Sequence, residues 1–331
     1  MRIATAKEMI QSRTMLNSQN VAIIDIGSNS IKLLVVSKSV KDGSLESRYS
    51  KTLETRISSG ITLDPPQISD SAMSAGVQSV RKLYKEALCY KPLKVRIVAT
   101  SAVRDAVNRS EFNKKIELAT GLSVHILTGV QEARAIGRGL SCDPQVKKSK
   151  KFIQIDLGGG SLEYIHFDSD SIVQAASLAL GSVRITERFI KDPSKPIRRD
   201  VEKSIQKHVT KLIKNEGLLK TPYLGSLIAT GGALTVTRAI LAARDNRALE
   251  EFSPLISLLQ IREIKAELIS QPLSERIKIK SLPAARADIL PAALITIEQI
   301  MHLMGHKQLI HSQYNLRYGI ALDILKEIKY S

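Results

Sequence analysis

The sequence predicts an α/β fold built from two related halves. Short apolar runs rich in β-branched residues alternate with segments of helical periodicity, which is the order typical of α/β proteins. A glycine-rich segment near the amino terminus also recurs in the middle of the chain. The length of 331 residues, 43% of them hydrophobic, exceeds the usual size of one domain and is sufficient for two cores.

Seven strands are predicted from short runs with β character. They lie at residues 21–25, 31–36, 95–100, 123–127, 152–156, 162–167 and 225–230. Helical patterns lie between them. One helix is predicted over 70–88 with Ser69 as its N-cap, another ends at Gly121, and a third covers 200–217 after a loop at 191–198.

The strongly basic composition favours a polyanionic partner. Forty-nine Lys and Arg residues against 32 Asp and Glu give a net charge of +17, which raises the local concentration of anions. This charge is compatible with binding to nucleic acid, an anionic membrane surface, a phosphate polymer or a nucleotide. It is also compatible with a role in solubility alone. Aromatic residues make up only 4% and Trp is absent, so we expect no specific nucleic-acid partner.

Other classes of protein are disfavoured by the sequence. No stretch approaches the roughly 20 apolar residues of a membrane span, and the first 20 residues lack the apolar core of a secretory signal. We therefore expect a cytoplasmic location and no membrane partner. Cys89 and Cys142 lack metal or redox spacing, and the basic cluster at 147–151 is interpreted as a solvated loop.

An internal repeat sharpens the prediction, because residues 23–36 match residues 154–167. The matched pairs are Asp25 with Asp156, Gly27 with Gly158, and Ser30 with Ser161. Each copy reads as strand, Asp, glycine-rich reversal and strand, which predicts a β-hairpin. The pattern differs from a P-loop or a dinucleotide motif, in which a helix follows the glycines.

The glycine-rich tips predict phosphate cradles. Without Cβ atoms, successive backbone N–H groups can converge on an oxyanion, and serine hydroxyls add further donors. Another glycine turn, at Gly231 and Gly232, follows a strand and opens a helix, so it too could bind an anion. Asp25 and Asp156 would repel a phosphate unless a divalent cation, Mg²⁺, lay between them. Ordinary turns are the alternative, which two matching copies disfavour.

Seven sequence blocks occur in an order that resembles one known family. They are DIGSNSIKLLVV, VRIVATSAVRDAVN, ILTGVQEARAIGRGL, DLGGGSLEY, LGSVRITERF, ATGGALTVTRA and ARADILPAALITIEQIM. With LRYGIALDIL at 316–325 they span nearly the whole chain. The sequence is similar to the short form of exopolyphosphatases and guanosine pentaphosphate phosphatases (Ppx/GppA), within the actin, Hsp70 and sugar-kinase superfamily.

The resemblance implies two related ribonuclease-H-like (actin-like ATPase) domains with an active-site cleft between them. We expect an N-terminal extension at 1–20, domain I at 21–131 and domain II at 132–312. The C-terminal helix, within 313–331, is expected to pack back on domain I. A homodimer is usual in the family, although the sequence itself does not indicate one.

The resemblance also assigns roles to individual residues. Glu132, in TGVQEAR, matches the base that activates water, and Asp156 and Glu163, in DLGGGSLE, match acids on the metal side. Arg104, in TSAVRDA, matches an arginine that holds phosphate oxygens. The residues alone also allow plainer interpretations: a helix-start glutamate, a surface-facing strand glutamate and a helix-surface arginine.

The complete predicted site combines these roles with the glycine turns. The predicted phosphate-binding residues are Gly27, Ser28, Asn29, Ser30, Gly158, Gly159, Gly160, Ser161, Gly231 and Gly232. The predicted catalytic residues are Glu132, Glu163, Asp156 and Arg104, and the predicted Mg²⁺ ligands are Asp25, Asp156 and Glu163.

The implied reaction is release of the terminal phosphate from inorganic polyphosphate, guanosine pentaphosphate or both. Water activated by Glu132 would attack in line, assisted by Mg²⁺. A sensor that binds polyphosphate or an alarmone without hydrolysing it is one alternative, and an actin-like ATPase or sugar kinase is another, because fold does not settle function. Gln131 stands where most relatives have the first residue of a Glu-Glu pair, which leaves the role of that position open.

Overall fold

The computed structural model describes residues 19–39, 41–58, 64–146, 151–168, 171–218 and 225–329. All but two residues of the predicted N-terminal extension therefore lie outside the described residues. So do four of the five residues of the basic cluster at 147–151.

Strands and helices alternate along the described residues. The strands are β1 (Asn20–Ile26), β2 (Ile31–Lys38), β3 (Leu45–Leu53), β4 (Lys94–Ala99), β5 (Val124–Ile126), β6 (Lys151–Leu157), β7 (Leu162–Asp168), β8 (Ser171–Leu178), β9 (Ser226–Thr230), β10 (Leu255–Ser257) and β11 (Gln308–His311). The helices are α1 (Asp70–Leu88), α2 (Ser101–Asp105), α3 (Arg109–Thr120), α4 (Gly129–Leu140), α5 (Ser182–Phe189), α6 (Arg199–Asn215), α7 (Gly232–Arg244), α8 (Leu258–Ser270), α9 (Leu273–Arg276), α10 (Leu290–Met304) and α11 (Leu316–Lys329), with a 3₁₀ turn at Ala284–Arg286.

The strands form two sheets of the same design. The first has the order β3-β2-β1-β4-β5, and the second has the order β10-β11-β9-β6-β7-β8. In each, a central strand pairs antiparallel with the next strand of its hairpin and parallel with a later strand: β1 with β2 and β4, and β6 with β7 and β9. The second sheet therefore repeats the first and adds β10 at its edge. This duplication confirms the predicted α/β fold of two related halves.

All seven predicted strands are present, and the described part of the chain contains four further strands that were not predicted. They are β3, β8, β10 and β11. β3 and β8 are edge strands whose side chains are mostly exposed or half-buried, so they lack the continuous apolar run that marks a strand buried on both faces. β10 and β11 have only three and four residues, and each contains a single β-branched residue, so no run of β character marks them.

Two predicted helix caps are confirmed, and the third predicted helix, 200–217, is present as α6 but ends at Asn215. The Ser69 hydroxyl accepts a hydrogen bond from the Ala72 N–H at 3.3 Å and so caps α1. Gly121 ends α3 in the left-handed conformation, with φ of 73°. Residues 191–198 form the predicted loop before α6. Across the described residues, no helix combines the length and apolar character needed to span a bilayer.

Two helices pack between the sheets with unusually close backbones. α4 and α11 share a hydrophobic core with both sheets, for example with Ile23 of β1 and Ile165 of β7. A Cβ atom on Gly319 of α11 would lie 1.8 Å from the Ala135 carbonyl oxygen of α4, so this position has no room for a side chain. α11 also packs against β1. The domain boundaries, and the assignment of this helix to domain I, stay predictions.

Candidate active site

Both glycine-rich segments form the predicted hairpins, with the same local geometry. The Gly27 N–H donates to the Ser30 carbonyl at 3.1 Å, and the Gly158 N–H donates to the Ser161 carbonyl at 3.0 Å. The internal repeat thus corresponds to one turn built twice, one on each sheet.

The two hairpin tips meet across a single cleft. A Cβ atom on Gly159 would lie 2.9 Å from Ser28 Cβ and 3.0 Å from the Asn29 backbone nitrogen, so the second tip touches the first. All ten predicted phosphate-binding residues line this cleft. Four acidic residues also line it: Asp25, Glu132, Asp156 and Glu163.

The turn at Gly231 closes another side of the cleft. Gly231 has a φ of 106°, and a Cβ atom there would lie 2.5 Å from the Leu157 carbonyl oxygen, so both its conformation and its surroundings require glycine. Just before it, the Thr230 hydroxyl donates to Asp156 Oδ2 at 2.7 Å. This turn therefore holds the Asp156 carboxylate at the end of β6.

Glu132 reaches the cleft from the first turn of α4. Thr128 and Gln131 form a capping box, in which the Gln131 N–H donates to the Thr128 hydroxyl at 3.2 Å and the Thr128 N–H donates to Gln131 Oε1 at 2.9 Å. Gln131 is exposed, whereas Glu132 is only 6% exposed and lines the cleft. The departure from a Glu-Glu pair thus lies on the helix cap, outside the cleft.

Arg104 contacts Glu132. Its Nη1 donates to Glu132 Oε2 at 2.8 Å and to the Leu127 carbonyl at 3.0 Å. Arg104 is not among the residues that line the cleft. Its expected contact with phosphate oxygens stays a prediction, and its observed contact orients the Glu132 carboxylate.

Two glutamates in the cleft have raised pKa values. Burial, followed by repulsion from Glu163, raises the pKa of Glu132 well above its usual value, and Arg104 acts in the opposite direction. Burial and the neighbouring Asp156 raise the pKa of Glu163 to about 7, although the Ser177 hydroxyl donates to it at 2.8 Å. Acids shifted in this way inside one cleft are typical of a functional site.

The two aspartates of the repeat have the chemistry of cation ligands. Burial raises the pKa of both Asp25 and Asp156, with Lys32 and Arg317 acting in the opposite direction. Asp25 Oδ1 is buried without a hydrogen-bond partner among the described residues, a costly state for a carboxylate unless a cation or a proton accompanies it.

These aspartates fit Mg²⁺, which usually binds one or two protein carboxylates and completes its shell with water and phosphate oxygens. Within the described ranges, no three His, Cys, Asp or Glu side chains are grouped closely enough to form a metal site by themselves. The expected ligand set of Asp25, Asp156 and Glu163 stays a prediction.

The structure adds basic residues that the sequence analysis missed. Lys32 lines the cleft and lies opposite Asp25 in the first hairpin, just as Glu163 lies opposite Asp156 in the second. The repeat itself carried this signal, because Lys32 and Glu163 occupy matched positions with opposite charges. Arg286 also lines the cleft. Its guanidinium occupies the space into which a Cβ atom on Gly232 would project.

Ion pairs join the two halves on both sides of the cleft. On one side, Arg184 of α5 donates to the Gly160 carbonyl at 2.8 Å and to Asp105 Oδ2 at 2.7 Å. Arg286 Nε, on the other side, donates to Glu54 Oε1 at 2.9 Å. Arg56 pairs there with Asp288, at 2.6 Å and 2.8 Å. These contacts connect the segments around the two hairpin tips to each other.

Known proteins share this architecture. The model of the Ppx/GppA phosphatase family matches residues 35–328. An exopolyphosphatase from Cytophaga hutchinsonii superposes with a TM-score of 0.84 at 23% identity, covering 93% of this chain and 98% of that one. The Aquifex aeolicus member of the Ppx/GppA family superposes with a TM-score of 0.74 at 26% identity, covering 94% and 99%. Since the family match covers most of its length, this chain belongs to the Ppx/GppA phosphatase family.

Proposed function

We propose that the protein is a phosphoanhydride hydrolase that releases the terminal phosphate of inorganic polyphosphate, guanosine pentaphosphate or both. Membership of a phosphatase family supports hydrolysis in general. The observation that carries the specific proposal is the position of Glu132, a buried carboxylate with a raised pKa in the cleft between two glycine hairpins. A base is most effective when its pKa lies near the working pH.

The proposed reaction is one in-line displacement. Water forms a bond to the terminal phosphorus while its proton passes to Glu132, and the bond to the bridging oxygen breaks. The electron pair of that bond leaves with the shortened chain, which departs as an oxyanion and needs little acid catalysis. Arg104 orients the base through its 2.8 Å contact. Backbone N–H groups of the two tips would stabilise the charge that develops on the phosphate oxygens.

Asp25 and Asp156 are the residues that would hold Mg²⁺, with Glu163 as a further expected ligand. Bound Mg²⁺ would neutralise part of the phosphate charge. Lys32 lies on the first hairpin, where burial lowers the pKa of its amino group while Asp25 and Asp156 act in the opposite direction and favour its charged form. The cytoplasmic location stays a prediction of the sequence, and the homodimer stays an expectation from the resemblance to the family.

Substitution of Glu132 by Gln tests the role of the base. General-base catalysis typically contributes about 10²–10⁴-fold, so we expect kcat for phosphate release to fall by that factor. The affinity for polyphosphate, measured directly by equilibrium binding, should change less than about tenfold. Glu117 is an exposed glutamate on α3, and Glu117→Gln is the matched control, with kcat expected to be unchanged. Near-normal phosphate release by Glu132→Gln would rule out the proposed role.

A comparison of substrates tests the chemistry as a whole. Phosphate release should be measured with long-chain polyphosphate, guanosine pentaphosphate and ATP under the same conditions, with Mg²⁺ and with a chelator. We expect release from one or both of the first two substrates and loss of activity in the chelator. Hydrolysis confined to ATP would instead support an actin-like ATPase, and binding without hydrolysis would support a sensor.

A further inference from the structure

A second concave site lies outside the cleft, on the far side of α4. It has a volume of about 330 Å³, which is in the range that suits a small ligand. Its walls come from α4 and α11 and from residues on and beside β4 and β5. Its polar lining consists of Arg96, His125, Gln131, Arg134, Arg138 and Asp323. We call this site the α4 groove.

The α4 groove has an excess of positive charge. Three arginines line it, whereas Asp323 is the only acidic residue in the lining. Arg138 Nη2 donates to Asp323 at 2.7 Å, and Arg96 pairs with Glu327 of α11 at 2.7 Å. Arg134 is exposed and makes no ion pair or hydrogen bond with any side chain in the described ranges. The lining therefore keeps an uncompensated positive charge.

Arg138 has a donor that no neighbouring group satisfies. Its Nε is buried and has no hydrogen-bond partner among the described residues, although its Nη2 is paired with Asp323. A buried donor without an acceptor is costly. A phosphate ligand in the groove cannot reach that Nε, but the Arg138 side chain is 37% exposed, and the exposed Arg134 guanidinium can pair with phosphate oxygens through two parallel hydrogen bonds.

The α4 groove and the cleft lie on opposite faces of one helix. Gln131, Arg134 and Arg138 are spaced by three and four residues, so they share the face that lines the groove. Glu132 points the other way, into the cleft. The groove and the cleft are therefore separated by the width of one helix, which is about 10 Å with its side chains. Leu127 also lines the groove, and its carbonyl is the one that accepts a hydrogen bond from Arg104.

We propose that the α4 groove is a second phosphate-binding site, which takes a short chain of anhydride-linked phosphates through Arg134 and Arg138. The chain has two sources with the same chemistry: an internal stretch of polyphosphate and the phosphates of a free nucleotide. Binding at this site requires no hydrolysis, so the inference goes beyond the proposed activity. On long polyphosphate, occupation of both sites by one chain would raise the overall affinity.

The test counts binding sites by calorimetry. Tripolyphosphate is titrated into the Glu132→Gln protein, in which hydrolysis is slow, at fixed ionic strength. We expect two sites per chain. Adding Arg134→Gln and Arg138→Gln should weaken groove binding by at least about tenfold for each charged hydrogen-bonding group lost, so that one site remains. Arg81→Gln with Lys85→Gln removes the same charge from the exposed face of α1 and should leave two sites.

The remaining outcomes separate this inference from the proposed activity. Arg134→Gln alone removes a side chain without an ion-pair partner, so it weakens the second site without disturbing the fold. One site in the Glu132→Gln protein, or two sites after both arginine substitutions, would overturn the groove assignment and leave the cleft assignment intact. Binding of GTP in the groove without binding of tripolyphosphate would also overturn it, because the ligand would then be recognised through its nucleoside.

Discussion

The close contact between α4 and α11 predicts that a methyl group added at Gly319 will displace Glu132, the proposed base. In Gly319→Ala, the new Cβ atom would lie 1.8 Å from the Ala135 carbonyl oxygen, whereas such contacts essentially never fall below 3.0 Å. The two backbones must therefore separate by at least about 1.2 Å. Ala135 lies one turn beyond Glu132 on α4, so this shift moves the carboxylate relative to the hairpin tips. A misplacement of about 1 Å can cost roughly 10²-fold in rate.

Two measurements test this reasoning on Gly319→Ala. We expect kcat for phosphate release to fall by about 10²-fold and the free energy of unfolding, from urea titration, to fall by about 1–3 kcal/mol, as is usual for overpacking. Typical domains have about 5–15 kcal/mol of stability, so the protein stays folded and the lost rate reflects geometry. Lys326→Ala, on an exposed position of the same helix, is the control and should change neither quantity. A Gly319→Ala protein with normal kcat would refute the argument.

Two predictions concern protonation in the cleft. The pKa of Glu163 rises from 4.5 to about 7 on folding, so the protonated side chain favours the folded state, and this stabilisation is lost as the pH rises through 7. In the presence of a chelator, Glu163→Gln should therefore be more stable than the wild type at pH 8 but not at pH 4. Equal urea midpoints for the two proteins at both pH values would contradict this. Thr230→Val removes the hydroxyl that lowers the pKa of Asp156. The acid limb of the profile of kcat/KM against pH should therefore move to higher pH. An unchanged profile would show that Asp156 does not control that limb.

Local features of the site could be read from the sequence because turn geometry constrains which residues occupy each position. The hairpin tips need glycine where backbones approach closely, as Gly159 does to Ser28. The same requirement in both halves produced a visible repeat. Asp25 and Asp156 could be found in the same way, since each is the last residue but one of the first strand of its hairpin.

Contacts between the two halves could not be predicted in this way. Arg184 and Asp105 are 79 residues apart, and Arg56 and Asp288 are 232 residues apart. Such ion pairs depend on how the sheets are placed in space, which no local pattern encodes. The role of Gly319 could not be predicted either, because a single glycine in a helical segment does not indicate which other helix it will contact.

Lys32 and Glu163 make the two otherwise similar hairpins electrostatically different. Two identical hairpins facing each other would offer a linear anion the same surroundings from either side. The matched positions instead carry an ammonium group on one hairpin and a carboxyl group on the other. The electric field across the gap is therefore asymmetric, so a chain that enters from one end is not equivalent to the same chain entering reversed.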